Sequence, residues 1–542
     1  VQKKLSLYFP DPYTPSTQQT NILNKIGAAL EKNKFVICCA PTGSGKSLLA
    51  KTIGNTSQQP TKEFAELITS YLAYKQDFTG NYNYAQECNE EPSSGAFTLT
   101  ITKSLQDQYT SLFPDTSLLK GKSNYVCSVD ENYTVDLAPC TFVPRLKDKC
   151  CSNNVCPYYN ARNKAILSQF SVLNYKMFLA LPDHVKKKNV IICDEASELE
   201  EELIRQFSAE IVYKTLEQYG IPFKKLITDN KEKARIWIYS LIENISVKIE
   251  FLNNAFSQHP NIISKTDRIQ YQYLKTLHRT LSTLDSTWKD CEYVLEVDAN
   301  RALFTPLRAN TLSKYIFNSA DKIILLSATI IDHKHFAKSL GINEYIYIEA
   351  ESEFDPSKSP IYISSAHKLN YKNLKVVLPK ICDQIQEIVN HHKTEKGIIH
   401  THTQEITNYL QARLGGDGRF LFRDTFANNE QILKEHKSSK KPTILVSPSL
   451  AFGVDLKDDL ARFQIIVKLP FFPLGSKRVK KLAQTDPDWY ENKMLNSVVQ
   501  AAGRATRSKK DHAVTYILDA TFLNIVKKVK NKLPNHFIER IH

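Results

Sequence analysis

The chain is 542 residues long and 42% hydrophobic, with 71 Lys and Arg against 57 Asp and Glu for a net charge of +14. That length accommodates about three or four domains, and no apolar run approaches the roughly 18 residues of a membrane span. Val1-Gln2-Lys3-Lys4 lacks the apolar core of a secretory leader, so a cytoplasmic or nucleoid-associated location is expected, and the basic balance suits a polyanionic partner.

The first periodic stretch, Ile22 to Leu30, is amphipathic and follows Thr17-Gln18-Gln19. Gln19 is a candidate reader of an adenine edge; the alternative is a solvated helix start. The apolar run Phe35-Val36-Ile37-Cys38-Cys39 then enters Ala40-Pro41-Thr42-Gly43-Ser44-Gly45-Lys46-Ser47. A short buried strand feeding a glycine-bearing loop and a helix is the P-loop arrangement. The amides of Thr42, Gly43, Ser44 and Gly45 are expected to cradle phosphates, Lys46 to reach the β- and γ-phosphates, and Ser47 to sit on Mg²⁺. Ala40 stands where the usual pattern has its first glycine. ATP is the expected nucleotide.

Gly54 to Gly95 is polar, rich in Tyr, Asn and Gln and without period, as in an insertion. Ala96 to Ile101 alternates like a strand and leads into Thr102-Lys103-Ser104-Leu105-Gln106. Thr102 and Gln106 suit contacts to a nucleic-acid backbone, and equally an ordinary helix cap.

Five of the 11 cysteines fall within thirty residues: Cys127, Cys140, Cys150, Cys151 and Cys156. Clustered thiols in a chain without a secretion signal read as metal ligands before disulfides. Structural zinc usually takes paired Cys-x₂₋₄-Cys knuckles, whereas single cysteines on separate turns suit an iron–sulfur cubane. One of Cys150 and Cys151 would then be spare. Zinc and buried free thiols remain the other readings.

Val190 to Cys193 is a strand ending in Asp194-Glu195. On a parallel strand neighbouring the P-loop strand, Asp194 would hold Mg²⁺ and Glu195 would polarise the attacking water. Residues 200–301 read as mostly helical, a separate lobe between two sheet strands. The strand Lys322 to Leu326 then delivers Ser327-Ala328-Thr329, hydroxyls placed to link the phosphate site to a nucleic-acid groove. After a proline-bearing linker at 349–360, strands at 397–400, 443–446, 464–467 and 514–518 alternate with helical stretches, implying a second, mostly parallel sheet. Phe452-Gly453-Val454-Asp455 follows one strand. Gln500, Arg504 and Arg507 lie on a predicted helix, with the two arginines on one face as a pair able to neutralise a transferring phosphoryl group.

In this order, the segments 40–47, 102–108, 120–127, 156–159, 174–175, 194–196, 327–329, 453–455 and 500–507 resemble the iron–sulfur branch of superfamily 2 DNA helicases, the XPD/DinG family. The resemblance implies an α/β fold with two RecA-like motor domains. Helicase domain 1 would comprise 1–118, 166–202 and 301–349, interrupted by an iron–sulfur domain at 119–165 and a mainly helical Arch domain at 203–300. Helicase domain 2 would be 350–542. It further implies ATP and Mg²⁺, a [4Fe–4S] cluster, Asp455 in the nucleotide site, and Ser327 and Thr329 beside nucleic acid. The activity implied is 5′→3′ movement of a monomeric motor on single-stranded DNA with opening of forked duplex. Ser197 stands where the family usually has His, which puts a coupling hydrogen bond in question. A translocase or RNA–DNA hybrid remodeller without strong unwinding is the alternative enzyme. A passive single-strand binder is the alternative outside that class.

Overall fold

The run ahead of the P-loop is a strand, Phe35–Cys39 (β1), because five consecutive apolar residues, four of them buried, suit a position sealed on both faces by helices. It is followed by Ala96–Thr100 (β2), Ser117–Leu119 (β3), Phe170–Asn174 (β4) and Lys188–Asp194 (β5). Three shorter strands come next, Ala209–Val212 (β6), Tyr293–Val297 (β7) and Arg301–Pro306 (β8), and then Ala320–Ser327 (β9) and Ile346–Glu349 (β10). The computed structural model describes residues 4–59, 94–143, 146, 150, 155–258, 263–370, 372–422, 429–448, 456, 458–503 and 511–542. Most of the polar stretch expected as an insertion, residues 60–93, lies outside them.

Among the described residues, seven strands form a first sheet in the order β10-β1-β9-β5-β2-β4-β3, every neighbouring pair parallel. Alternate residues enter opposite cores: Ile37, Cys39, Phe97 and Leu99 on one side, Val36, Cys38, Ile192 and Ile324 on the other. The order corrects one expectation. The strand carrying Asp194 is not next to the P-loop strand, because β9 pairs with both and lies between them. Ser327 thus stands at the middle of the site.

A second sheet is built from Ile361–His367 (β11), Gly397–His400 (β12), Phe420–Phe422 (β13), Ile444–Ser447 (β14), Phe463–Ile466 (β15) and Val514–Asp519 (β16). It is also wholly parallel, in the order β11-β16-β15-β12-β14-β13. Its edge is extended by a parallel bridge between Ile361 and Ile541, with Ile361 N–H donating to the Arg540 carbonyl at 2.7 Å. The expected linker is the segment joining β10 to β11.

Between β5 and β9, two long helices, Lys231–Gln258 and Lys265–Thr287, pack through Ile238, Leu241, Leu274 and Leu281. The expectation of a mostly helical segment needs amending, since β6, β8 and β7 form an antiparallel sheet beneath them. Four to six residues of alternation beside fifty residues of helical period are easily absorbed into it. The cysteine segment between β3 and β4 docks on this insert. Arg268 Nη1 donates to the Leu137 carbonyl at 2.8 Å, and Phe142 packs edge-on against Phe256. Among the described residues no helix is long and apolar enough to cross a membrane.

Candidate nucleotide site and interlobe cleft

In a parallel sheet, ligand groups collect beyond the carboxyl ends of the strands. Here those ends carry the P-loop after β1, Thr102 after β2, Asp194-Glu195 after β5 and Ser327-Ala328-Thr329 after β9. Gly43 and Gly45 adopt φ of 84° and 77°, the left-handed region that turns the loop into the helix Lys46–Asn55. A Cβ at Gly45 would come within 2.4 Å of Gln19 Nε2, so the loop is wrapped closely around that amide. Ser44 Oγ is buried without a hydrogen-bond partner. A buried orphan hydroxyl in a glycine-shaped loop at a helix N-terminus fits an anionic occupant.

Lys46 Nζ lies 4.0 Å from Glu195 Oε1. Glu195 itself sits at φ 52°, an uncommon conformation for a residue with a Cβ, in the tight turn after β5. Asp194 is buried and accepts from the Glu195 amide and from the Tyr109 hydroxyl, each at 3.0 Å. Burial first, and the Glu195 charge second, push the Asp194 carboxyl up to about 6, against the pull of Lys46 and Tyr109. Tyr109 also hydrogen-bonds Ser47. It therefore joins the hydroxyl and the carboxylate whose hard oxygen donors fit a divalent cation. Sequence reasoning missed Tyr109. Its spacing from Gln106 and Phe113 could at most have placed it on the inner face of a helix, and nothing local signals its contact with Asp194.

Gln19 is engaged at both ends of its amide. It forms a capping box with Ser16 and donates Nε2 to the Ser44 carbonyl at 3.0 Å. Thr102 caps the helix Lys103–Leu112, and Gln106 is fully buried and donates to the Leu119 carbonyl at 3.2 Å. Ser327 and Thr329 are buried as well, within hydrogen-bonding distance of Ser197 Oγ at 2.9 and 3.3 Å. From the second body, Gln500 Nε2 reaches the same oxygen at 3.3 Å and Glu198 Oε1 at 3.2 Å. Ser197, expected to disturb the coupling at its position, is instead the atom at which β9, the turn after β5 and the helix Pro487–Ala502 meet. All three groups donate to Ser197 Oγ, one more than its two lone pairs can each accept singly, so they share that oxygen.

The helix carrying Gln500 ends at Ala502. Asp455, Arg504 and Arg507 lie outside the described residues, as does Cys151. Gly503, the next residue, approaches the P-loop so closely that a Cβ there would stand 3.1 Å from Thr42 Oγ1. Below it the two bodies are pinned by charge. Lys493 Nζ lies 2.8 Å from Glu200, Arg478 Nη1 donates to Glu201 at 3.0 Å, and Trp489 Nε1 donates to Glu200 at 3.0 Å. Burial works against the Lys493 charge, but Glu200, Glu201 and Glu198 outweigh it and hold its pKa above the usual lysine range.

The other four cysteines of the cluster occupy separate turns: Cys127 beside the bridge Val126↔Thr134, Cys140 in a 3-10 turn, Cys150 before Val155, and Cys156 capping the helix Pro157–Leu167. Burial, then the nearby sulfurs of Cys150, Cys156 and Cys127, push the Cys140 thiol up to about 12. The other three sulfurs thus lie near enough to bear on Cys140, and thiolates are the donors an iron–sulfur cluster would take. Among the described residues, no three His, Cys, Asp or Glu are grouped so as to hold a single metal ion.

The DEAD_2 family matches residues 120–216, and the Helicase C-terminal domain family matches residues 399–540. The chain is 22% identical over 490 positions to the ATP-dependent DNA helicase CHL1 of Kluyveromyces lactis, covering 72% of this chain and 59% of that protein. It spans less than two thirds of that relative's length. It is 23% identical to the Probable ATP-dependent helicase MJ0942 of Methanocaldococcus jannaschii, covering 96% of this chain and 94% of that one. A solved XPD helicase shares the fold with a TM-score of 0.62 at 16% identity, covering 95% of this chain and 98% of that one. The S. tokodaii Xpd4 structure does so with a TM-score of 0.53 at 14% identity, covering 95% and 98%.

Proposed function

Because the chain belongs to the XPD/DinG-type helicases of superfamily 2, with two RecA-like domains, we propose that it is an ATP-driven DNA helicase moving 5′→3′ on single-stranded DNA. The observation that carries this reading is the meeting of three elements at Ser197, since it joins the carboxylates that would act on nucleotide to the second motor domain.

In this reading the P-loop amides and Lys46 bind the triphosphate. Glu195 orients a water against the γ-phosphorus and takes its proton as the bond to the leaving ADP oxygen breaks. Ser47 and Asp194 would hold Mg²⁺, which neutralises charge on the β- and γ-phosphates. Arg504, Arg507 and Asp455 complete the site from the second domain, and Gln19 reads adenine once lobe motion releases its amide. Loss of the γ-phosphate shifts the turn at Glu195, and Ser197 passes that shift to Ser327, Thr329 and Gln500. Thr102 and Gln106, on the loop and helix after β2, support the strand-binding face. Cys127, Cys140, Cys156 and one of Cys150 and Cys151 would hold a [4Fe–4S] cluster, which ties the turns of residues 119–165 into a rigid wedge at a forked duplex. Residues 203–300 form the Arch beside it.

Strand displacement on duplexes bearing a single tail tests the direction. Opening of the 5′-tailed substrate alone is expected; opening of the 3′-tailed one, or of neither while ATP is consumed, contradicts it. Anaerobically purified protein is expected to be brown and to carry about four irons per chain. A colourless protein with stoichiometric zinc contradicts the cluster.

A further inference from the structure

The segment after β16 folds back so that His536 and Arg540 line a small cavity with Pro41, Thr42, Thr329 and Gly503. One wall is therefore the P-loop and the other belongs to the second sheet's body. The walls nearly touch, as the 3.1 Å approach of a Gly503 Cβ to Thr42 Oγ1 shows.

Arg540 is only 8% exposed. Its Nε donates to the Ser359 carbonyl at 2.7 Å and its Nη2 to the Ala502 carbonyl at 3.0 Å. Both partners are neutral, and burial, with no carboxylate among the described residues acting on it, pulls the guanidinium down to about 10. Buried cations are ordinarily paired, because the cost of losing water is repaid only by an opposite charge. His536, between Arg540 and the P-loop, has Nδ1 buried without a partner. Burial, then the charges of Arg540 and Lys46, push its imidazole down to about 3, so it stays neutral. Arg540 thus brings a cation from the second body to a cavity whose other wall is the P-loop, and among the described residues its hydrogen bonds go to carbonyls; Glu539 lines the same space without bonding it.

The geometry points to Arg540 as a further nucleotide-contacting residue, a guanidinium from the second body that meets the polyphosphate across the cleft from the P-loop. It is separate from the Arg504 and Arg507 pair and rests on the nucleotide-site reading above. Its two carbonyl contacts fix the fork in place, so little side-chain entropy is lost when phosphate arrives. Since the Ala502 carbonyl closes the helix that carries Gln500, phosphate drawn to Arg540 also pulls on that helix.

The test compares a non-hydrolysable ATP analogue and ADP binding to the full chain with Arg540→Gln and Arg540→Lys, alongside melting without nucleotide. Arg540→Gln is expected to weaken the triphosphate analogue about tenfold or more. Arg540→Lys, which keeps the charge but loses the fork, is expected to weaken it at least about threefold while remaining folded. If both variants melt lower yet bind nucleotide as the wild type does, Arg540 is only a strut and the inference fails. If Arg540→Gln does not fold, Arg540→Lys decides alone: unchanged affinity overturns the inference. Wild-type protein without affinity for either nucleotide overturns the nucleotide-site reading and this inference together.

Discussion

Ser197 Oγ is an atom at which the two bodies meet through hydroxyl and amide contacts. It lies within hydrogen-bonding distance of Ser327, Thr329 and Gln500 and two residues from Glu195. Ser197→Ala removes three contacts and leaves Lys46, Asp194 and Glu195 in place. Basal ATP hydrolysis is expected to stay within a few-fold of wild type, while its stimulation by single-stranded DNA falls roughly tenfold, about one hydrogen bond's worth of coupling. Stimulation that survives the substitution would remove Ser197 from the relay. The sequence showed the P-loop, the Asp194-Glu195 pair and the cysteine cluster, since each is local spacing. It did not show Tyr109 or what Ser197 touches, because those depend on which helix faces which strand end. Lys188 is a third residue whose role only the fold reveals. It is buried, its Nζ donates to the Ile166 carbonyl at 2.6 Å, and burial pushes its pKa down to about 7. Between pH 7 and the ordinary lysine value the unfolded chain binds more protons, so this group makes stability rise with pH across that window. Lys188→Met is expected to flatten the rise, by up to ~1 kcal/mol per pH unit, and its stability relative to wild type to be greatest near pH 7. Chemical denaturation at pH 7, 8 and 9 measures it, and parallel curves for the two proteins would contradict it.

At the scale of elements, the helices Lys477–Thr485 and Pro487–Ala502 carry the second body's grip on the first. Their basic, aromatic and amide side chains meet Glu198, Glu200 and Glu201, immediately beyond the Asp194-Glu195 turn. Of these, only the Gln500 end was placed on a helix from the sequence, and the contact was not legible, since pairing across some 290 positions leaves no local trace. The small sheet β6-β8-β7 was overlooked for a related reason. Lys493→Ala leaves Glu200 and Glu201 buried with one cation fewer and is expected to cost about 3–5 kcal/mol. Lys493 and Glu200 exchanged for Met and Leu together are expected to recover most of that stability, since burying neither charge avoids the penalty. Thermal melting of the two variants reads this directly. Equal loss in both would mean the network contributes through shape rather than charge. Because the network abuts Ser197, the loss is expected in DNA stimulation as well as in stability.

Across the whole molecule, the carboxyl ends of the first parallel sheet face residues that precede β11 and β16 of the second, and two inserts in the first, between β3 and β4 and between β5 and β9, carry the cysteine turns and the long helical pair. The alternation of strands and helices made that architecture readable, and the order of short motifs made the family readable. The strand order inside each sheet was not, and it corrected the place of Asp194. A net charge of +14 gives the molecule a long-range attraction for a polyanion, so binding of single-stranded DNA should weaken steeply with salt. The most direct test of a nucleotide motor driven by DNA is steady-state ATP hydrolysis with and without single-stranded DNA, for wild type and Lys46→Ala. Single-stranded DNA is expected to raise wild-type turnover about tenfold or more, and Lys46→Ala to lower it at least ~100-fold under both conditions. Hydrolysis indifferent to DNA, or retained without Lys46, would contradict the account.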